Sequence, residues 1–136
     1  MADRTPGDVF HYPYLWLHDH RKGIDNPKDR TTCLVFQTRT SAGVIHLVIL
    51  AISDQEPEEP DDAMAVPEIE LRRGGLNFAR KAFVHLSECN IDTLPTSTQY
   101  DPNSRSLGRF SRSFTEQLAR RLAANIRSRR TRTLQR

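Results

Sequence analysis

The chain has six glycines, and none of them falls into a phosphate-cradling pattern such as G-x-G-x-x-G or G-x-x-x-x-G-K. At 136 residues it has room for one domain and none for a dinucleotide-binding unit beside another. Cysteine is scarce as well. Cys33 and Cys89 are the only two, and His18-x-His20 has no further Cys or His after it at ligand spacing, so a zinc-type site is not expected. Both cysteines lie in apolar, strand-like stretches and read as buried, reduced thiols of a cytosolic protein; a disulfide between them stays open. Metalloenzymes and nucleotide-binding enzymes are therefore disfavoured, and no metal or cofactor is expected.

Long hydrophobic runs are missing too. The longest, Val44 to Ile52, spans nine residues and is broken by His46, far short of the roughly 20 that a membrane helix needs. The opening MADRTPGDVF has neither the basic nor the continuous apolar part of a secretory leader, so no membrane partner and a cytoplasmic location are expected. There are no internal repeats. The 37% hydrophobic content is enough for one core without disulfide or metal staples.

Charge is present and unevenly divided. Residues 1–116 carry 13 Lys/Arg against 17 Asp/Glu, a net −4, while the last twenty residues carry seven Arg and no acid, a net +7. A basic tail of this kind attracts polyanions in general: RNA, DNA or an acidic partner.

Along the chain, residues 8–17, DVFHYPYLWL, are aromatic and β-prone, with Pro13 favouring an edge strand or a bend. The following HDHRKGIDNPKD reads as a long loop. Thr31 to Thr38 and Val44 to Ile52 read as two strands of a hairpin joined through Arg39–Gly43. DQEPEEPDD, residues 54–62, reads as a solvated acidic loop. Val66 to Leu71 gives a weak strand signal, Ala82 to Leu86 a further strand, and Tyr100 closes another extended piece. Ser113-x-x-Glu116 has the form of a capping box, and Phe114, Leu118, Leu122 and Ile126 follow at spacing four along one helix face. The domain is expected over residues 1–127, with 128–136 a disordered basic tail. Short strands, irregular links and a terminal helix point to a twisted antiparallel barrel or sandwich, mainly β with a C-terminal α-helix.

The serial order of short motifs adds a further reading. Pro6-Gly7-Asp8-Val9 opens the first strand, a long loop follows, and Lys28-Asp29-Arg30 stands immediately before an apolar strand. Then come Ala51-Ile52-Ser53 at the end of the next strand, Gly75-Leu76, Asn90-Ile91-Asp92-Thr93-Leu94, and Leu107-Gly108-Arg109-Phe110 ahead of the helix. This series, over about residues 6–126, resembles the PemK/MazF-like growth-inhibitor toxins. Arg30-Thr31 stands where the family has Arg-Pro, and Ile52-Ser53 where it has Ile-Thr, as in a divergent branch.

The resemblance implies an SH3-like barrel with a C-terminal helix, acting as a homodimer. It implies metal-independent cleavage of single-stranded RNA, restrained by a cognate antitoxin in a type II system. The family's arginine falls on Arg30 and its hydroxyl on Ser53. On the later strand Ser87 or Glu88 stands near the positions that some members use. Cleavage without a metal uses the 2′-hydroxyl as nucleophile, and an arginine suits the phosphorane because its planar fork donates two parallel bonds to phosphate oxygens.

Each residue also has an ordinary reading. Arg30 serves equally as a strand-edge charge paired to Asp29 or Asp8, and Ser53 as a turn serine bonded to its own backbone. His18 and His20, in the loop that approaches RNA in this family, are the candidate proton-transfer groups; exposed loop histidines are also commonly just solvated. His11, His46 and His85 read as structural. Tyr12, Tyr14 and Trp16 share one parity of the first strand, which suits base stacking, a barrel core or a dimer seam alike. Lys28 and Glu88 complete the candidate RNA contacts. The competing function is a catalytically silent RNA- or protein-binding regulatory module on the same scaffold.

Overall fold

A computed structural model describes residues 4–23, 29–77 and 79–136. In chain order the elements are β1 (Asp8–Tyr12), α1 (Leu17–Arg21), β2 (Arg30–Arg39), β3 (Ile45–Ser53), a 3-10 turn (Pro60–Asp62), β4 (Ala63–Ala65) and α2 (Glu68–Arg73). They continue with β5 (Phe83–His85), β6 (Glu88–Leu94), β7 (Ser106–Arg109), α3 (Arg112–Arg127) and β8 (Arg132–Gln135). One sheet runs β4-β5-β3-β2-β1-β7, with β6 branching from β3 and β8 lying on β6. Every pairing is antiparallel except β6–β8, and the sheet is open. The fold is mainly antiparallel β with a C-terminal helix. Among the described residues no helix is long and apolar enough to cross a membrane.

The β2–β3 hairpin forms as expected, and its apolar runs are continuous because both of its faces are covered. Cys33, Val35, Leu50 and Ile52 join one core with Phe114, Leu118 and Leu122 of α3. Leu34, Leu47, Ile49 and Ala51 join a second core with Phe10, Tyr12 and Tyr14. Val35 is the extra residue of a bulge between Leu34↔Ile49 and Phe36↔Val48, and beyond it Phe36 turns 51% exposed. β3 is shared: Ile45–Ile49 pairs with β6, while Ile52 and Ser53 pair with β5.

Several expectations are corrected. Val66–Leu71 is no strand. Pro67 caps α2, whose first turn carries Glu68 and Glu70, and acids are favoured at the positive end of a helix. The α3 cap is Ser111 rather than Ser113: its Oγ accepts the Phe114 N–H at 3.2 Å, and its backbone is extended. Steps of four overshoot a 3.6-residue turn by about 40° each, so the stripe drifts and Ile126 ends 46% exposed. Asn125 is buried in its place and donates to the Asp61 carbonyl.

The tail is ordered rather than disordered. Arg129 turns the chain at φ 61°, and Arg132–Gln135 lies parallel on β6 with Arg132 opposite Glu88 and Gln135 opposite Ile91. Backbone pairing along an open strand edge needs no apolar period, which is why periodicity gave no sign of it. Cys33 and Cys89 are free, buried thiols, not a disulfide.

Candidate functional site

β2 begins at Arg30 and β3 ends at Ser53. Their pairing stops at Thr32↔Ala51, and the next residues of like parity on the two strands are Arg30 and Ser53. Side chains two apart on a strand share a face. The guanidinium and the hydroxyl therefore leave the hairpin from the same end and the same side. Arg30 is exposed and has no ion-pair partner among the described residues; Asp8, one of its two candidate partners, is held instead by Arg109 at 2.8 Å.

Ser53 lines a cleft of about 480 Å³ with Thr31, Asp54, Arg80 and Lys81, over an apolar floor that includes Ile52 and Leu76. Thr31, not Arg30, is the β2 residue on its wall. Lys81 is paired with Glu56 at 3.1 Å, whereas Arg80 is exposed and has no ion-pair partner among the described residues. Arg80 and Lys81 were not singled out in the sequence; the adjacent pair of cations ahead of the Ala82–Leu86 strand was the available signal.

The Ser53 hydroxyl does two things at once. Oγ accepts the Gln55 N–H at 3.2 Å, the local turn bond that its ordinary reading supposes, and lies 2.6 Å from His85 Nε2. His85 is placed by β5, where it faces Ala63 of β4, and its ring meets the Trp16 ring edge-on at 5.6 Å. Burial lowers the His85 pKa below its ordinary 6.5, against a smaller opposing pull from Asp62, so the ring is neutral at pH 7. His85 was read as structural; its partner lies 32 residues away in sequence, where no spacing rule reaches.

Of the other candidates, His18 belongs to this neighbourhood and His20 does not. Both are exposed on α1, which occupies the first part of the expected loop. The His18 ring stacks on Trp16 at 6.4 Å and its Nε2 lies 3.2 Å from Asp19 Oδ1, while the His20 ring makes no hydrogen bond among the described residues. A row His18–Trp16–His85–Ser53 results.

Of the remaining RNA candidates, Tyr12 and Tyr14 are corrected. Tyr12 and Tyr14 are each 1% exposed, so neither offers a ring face to a base. Tyr12 donates its hydroxyl to Asp92 at 2.6 Å, and burial, with Asp92 beside it, raises its pKa strongly. The Tyr14 hydroxyl is buried with no partner among the described residues. Trp16 is half-buried between Tyr14, His18 and His85. Glu88 anchors α1: its Oε1 accepts the Leu17 N–H at 2.9 Å, and burial raises its pKa despite that bond. Lys28 lies outside the described residues. Among those described, no three His, Cys, Asp or Glu side chains gather as a metal-ligand set.

The chain matches no family model, no curated protein and no solved structure.

Proposed function

We propose that the chain is a metal-independent endoribonuclease of the PemK/MazF-like kind, its open sheet an SH3-like barrel left unclosed, cleaving single-stranded RNA by 2′-hydroxyl attack. The observation that carries this reading is the Ser53 hydroxyl, bonded to a neutral imidazole at 2.6 Å and placed at the strand end that it shares with Arg30. In this reading RNA crosses the ends of β2 and β3 with the scissile phosphate between Arg30 and Ser53. Arg30 donates to the non-bridging oxygens as charge builds on phosphorus, and Arg80 steadies a neighbouring phosphate from the cleft. The products are a 2′,3′-cyclic phosphate and a free 5′-hydroxyl.

The same reading makes the protein a type II toxin that acts as a homodimer in the cytoplasm, where its substrate is, and is held silent by a cognate antitoxin. The exposed Phe36 on β2 gives such an interface an apolar anchor.

The test is incubation of the purified protein with long single-stranded RNA in EDTA, followed by mapping of the ends. Cleavage leaving cyclic phosphates is expected, with Arg30→Ala slower by about 10²–10³. Full activity of Arg30→Ala removes that residue from the mechanism. Shifted but intact RNA after long incubation would leave the silent binding module as the function.

A further inference from the structure

We infer that Ser53 and His85 form a proton relay: the 2′-hydroxyl proton passes to Ser53 Oγ as the Ser53 hydroxyl proton passes to His85 Nε2. The inference rests on the ribonuclease reading and names the proton acceptor that it leaves open.

The geometry carries it. A serine hydroxyl has one proton to donate and two lone pairs. The Gln55 N–H occupies one lone pair, and the 2.6 Å contact to an imidazole nitrogen is the short approach expected of the donated proton. Ser53 is only half-buried, and one lone pair is left for a substrate hydroxyl. His85 is fixed between β3 and β4 on the short strand β5, with the edge of Trp16 against its ring. Its lowered pKa keeps the ring neutral at pH 7, with one of its two nitrogens free to accept. The charged group that bears on the ring is Asp62 of the 3-10 turn; Ser53 and Trp16 are uncharged, and His18 lies beyond Trp16.

In the step itself the 2′-oxygen forms its bond to phosphorus with the electron pair released from O–H, and the P–O5′ bond breaks toward the leaving oxygen. Water supplies the proton to that 5′-oxygen, and the His85 imidazolium returns one to water. No net proton is consumed, and Ser53 ends as it began. In the opposite tautomer His85 would donate to Oγ and Ser53 would only donate to a phosphate oxygen, so the tautomer decides between the two roles.

Two measurements test the relay. Nitrogen NMR of the full chain without RNA should show His85 with Nδ1 protonated and Nε2 bare at pH 7, titrating below 6.5, and Ser53→Ala should move the Nε2 resonance. A protonated Nε2 at pH 7 would overturn the relay.

With single-stranded RNA, the cleavage rate should rise with pH along a limb set by His85 and then level. Asp62→Asn should move that limb to lower pH, because Asp62 supports the charged ring. His85→Gln should bind RNA as the parent does, lose the limb and cleave about 10²–10⁴-fold more slowly. Ser53→Thr, which keeps the hydroxyl, should retain cleavage that Ser53→Ala loses. A parental rate and profile in His85→Gln overturns the relay and leaves the ribonuclease reading intact. Absence of cleavage by the parent chain overturns that reading, and the relay with it.

Discussion

Asn90 holds Leu15 through both ends of its carboxamide: Oδ1 accepts the Leu15 N–H at 2.9 Å and Nδ2 donates to the Leu15 carbonyl at 2.9 Å. Asn90 is fully buried on β6, and its Oδ1 also accepts from Arg136, whose same nitrogen donates to the Pro13 carbonyl at 2.6 Å. The strand in the sheet and the end of the basic tail thus clamp the non-strand segment that carries Trp16 to His85. Through that clamp, the ordering of β8 bears on the site.

Removing the clamp should be costly. Asn90→Ala leaves a buried N–H and a buried carbonyl of Leu15 without partners, at about 1–3 kcal/mol for each group left unsatisfied. A loss of roughly 2–6 kcal/mol in a urea titration with an unchanged slope is expected. A loss under about 0.5 kcal/mol, the size of an ordinary surface change, would show that the clamp does not hold the segment.

Tyr12 and Asp92 make a second buried link between β1 and β6. The Asp92 carboxylate accepts the Tyr12 hydroxyl at 2.6 Å, the Ser97 hydroxyl at 2.8 Å and the Thr93 N–H at 2.8 Å, with no exposure to water. Tyr12→Phe keeps the ring in its core and deletes one donor to a charged acceptor, so stability should fall by about 1.5–3 kcal/mol. Asp92→Asn is the companion variant: a drop no larger than the surface range in both would mean that the carboxylate is satisfied without Tyr12.

Gly75 and Gly43 both have positive φ, 70° and 82°, but only Gly75 is hemmed in. A Cβ there would run into the Leu107 carbonyl where the end of α2 meets β7, whereas nothing lies within 4 Å of a Cβ at Gly43. Gly43→Ala should cost about 1–2 kcal/mol for the left-handed backbone alone. Gly75→Ala should cost about 1–3 kcal/mol more for the overlap, and the gap between the two thermal midpoints measures it. Equal midpoints would show that β7 moves aside freely.

How much of this was legible follows from which forces write themselves into local sequence. The β2–β3 hairpin was legible because burial on both faces leaves an unbroken apolar run bounded by turn residues. The α3 face was legible for its buried core of Phe114, Leu118 and Leu122, but the drift that exposes Ile126 needs the helix geometry as well. α2 was misread because VPEIEL alternates over too few residues to separate a strand from a single helical turn or two. β8 was invisible because backbone pairing to an edge is indifferent to side chains. In the site, Arg30 and Ser53 were reached through motif order, whereas His85 was missed because its bond to Ser53 exists only once β3 and β5 pair. The parity of Tyr12, Tyr14 and Trp16 could not say which side of the sheet is wet.

Glu70 supplies a pH test of the contact between α2 and α3. Its carboxylate accepts the Ser111 N–H at 2.8 Å, the Ser111 hydroxyl at 2.7 Å and Arg73 at 3.1 Å, tying α2 to the residue that caps α3. Burial pushes this carboxyl up, but the two Ser111 bonds and Arg73 together outweigh it and hold the pKa below the ordinary 4.5. A pKa lower in the folded than in the unfolded chain means that the unfolded chain takes up the proton first. The contribution is then fully present above about pH 4.5 and is lost as pH falls through the folded value. The stability gap between the parent and Glu70→Gln should therefore be flat between about pH 6 and 8 and close progressively below about 4.5. Urea midpoints across that range measure it, and a gap that widens on acidification would mean that Glu70 is held in its neutral form instead.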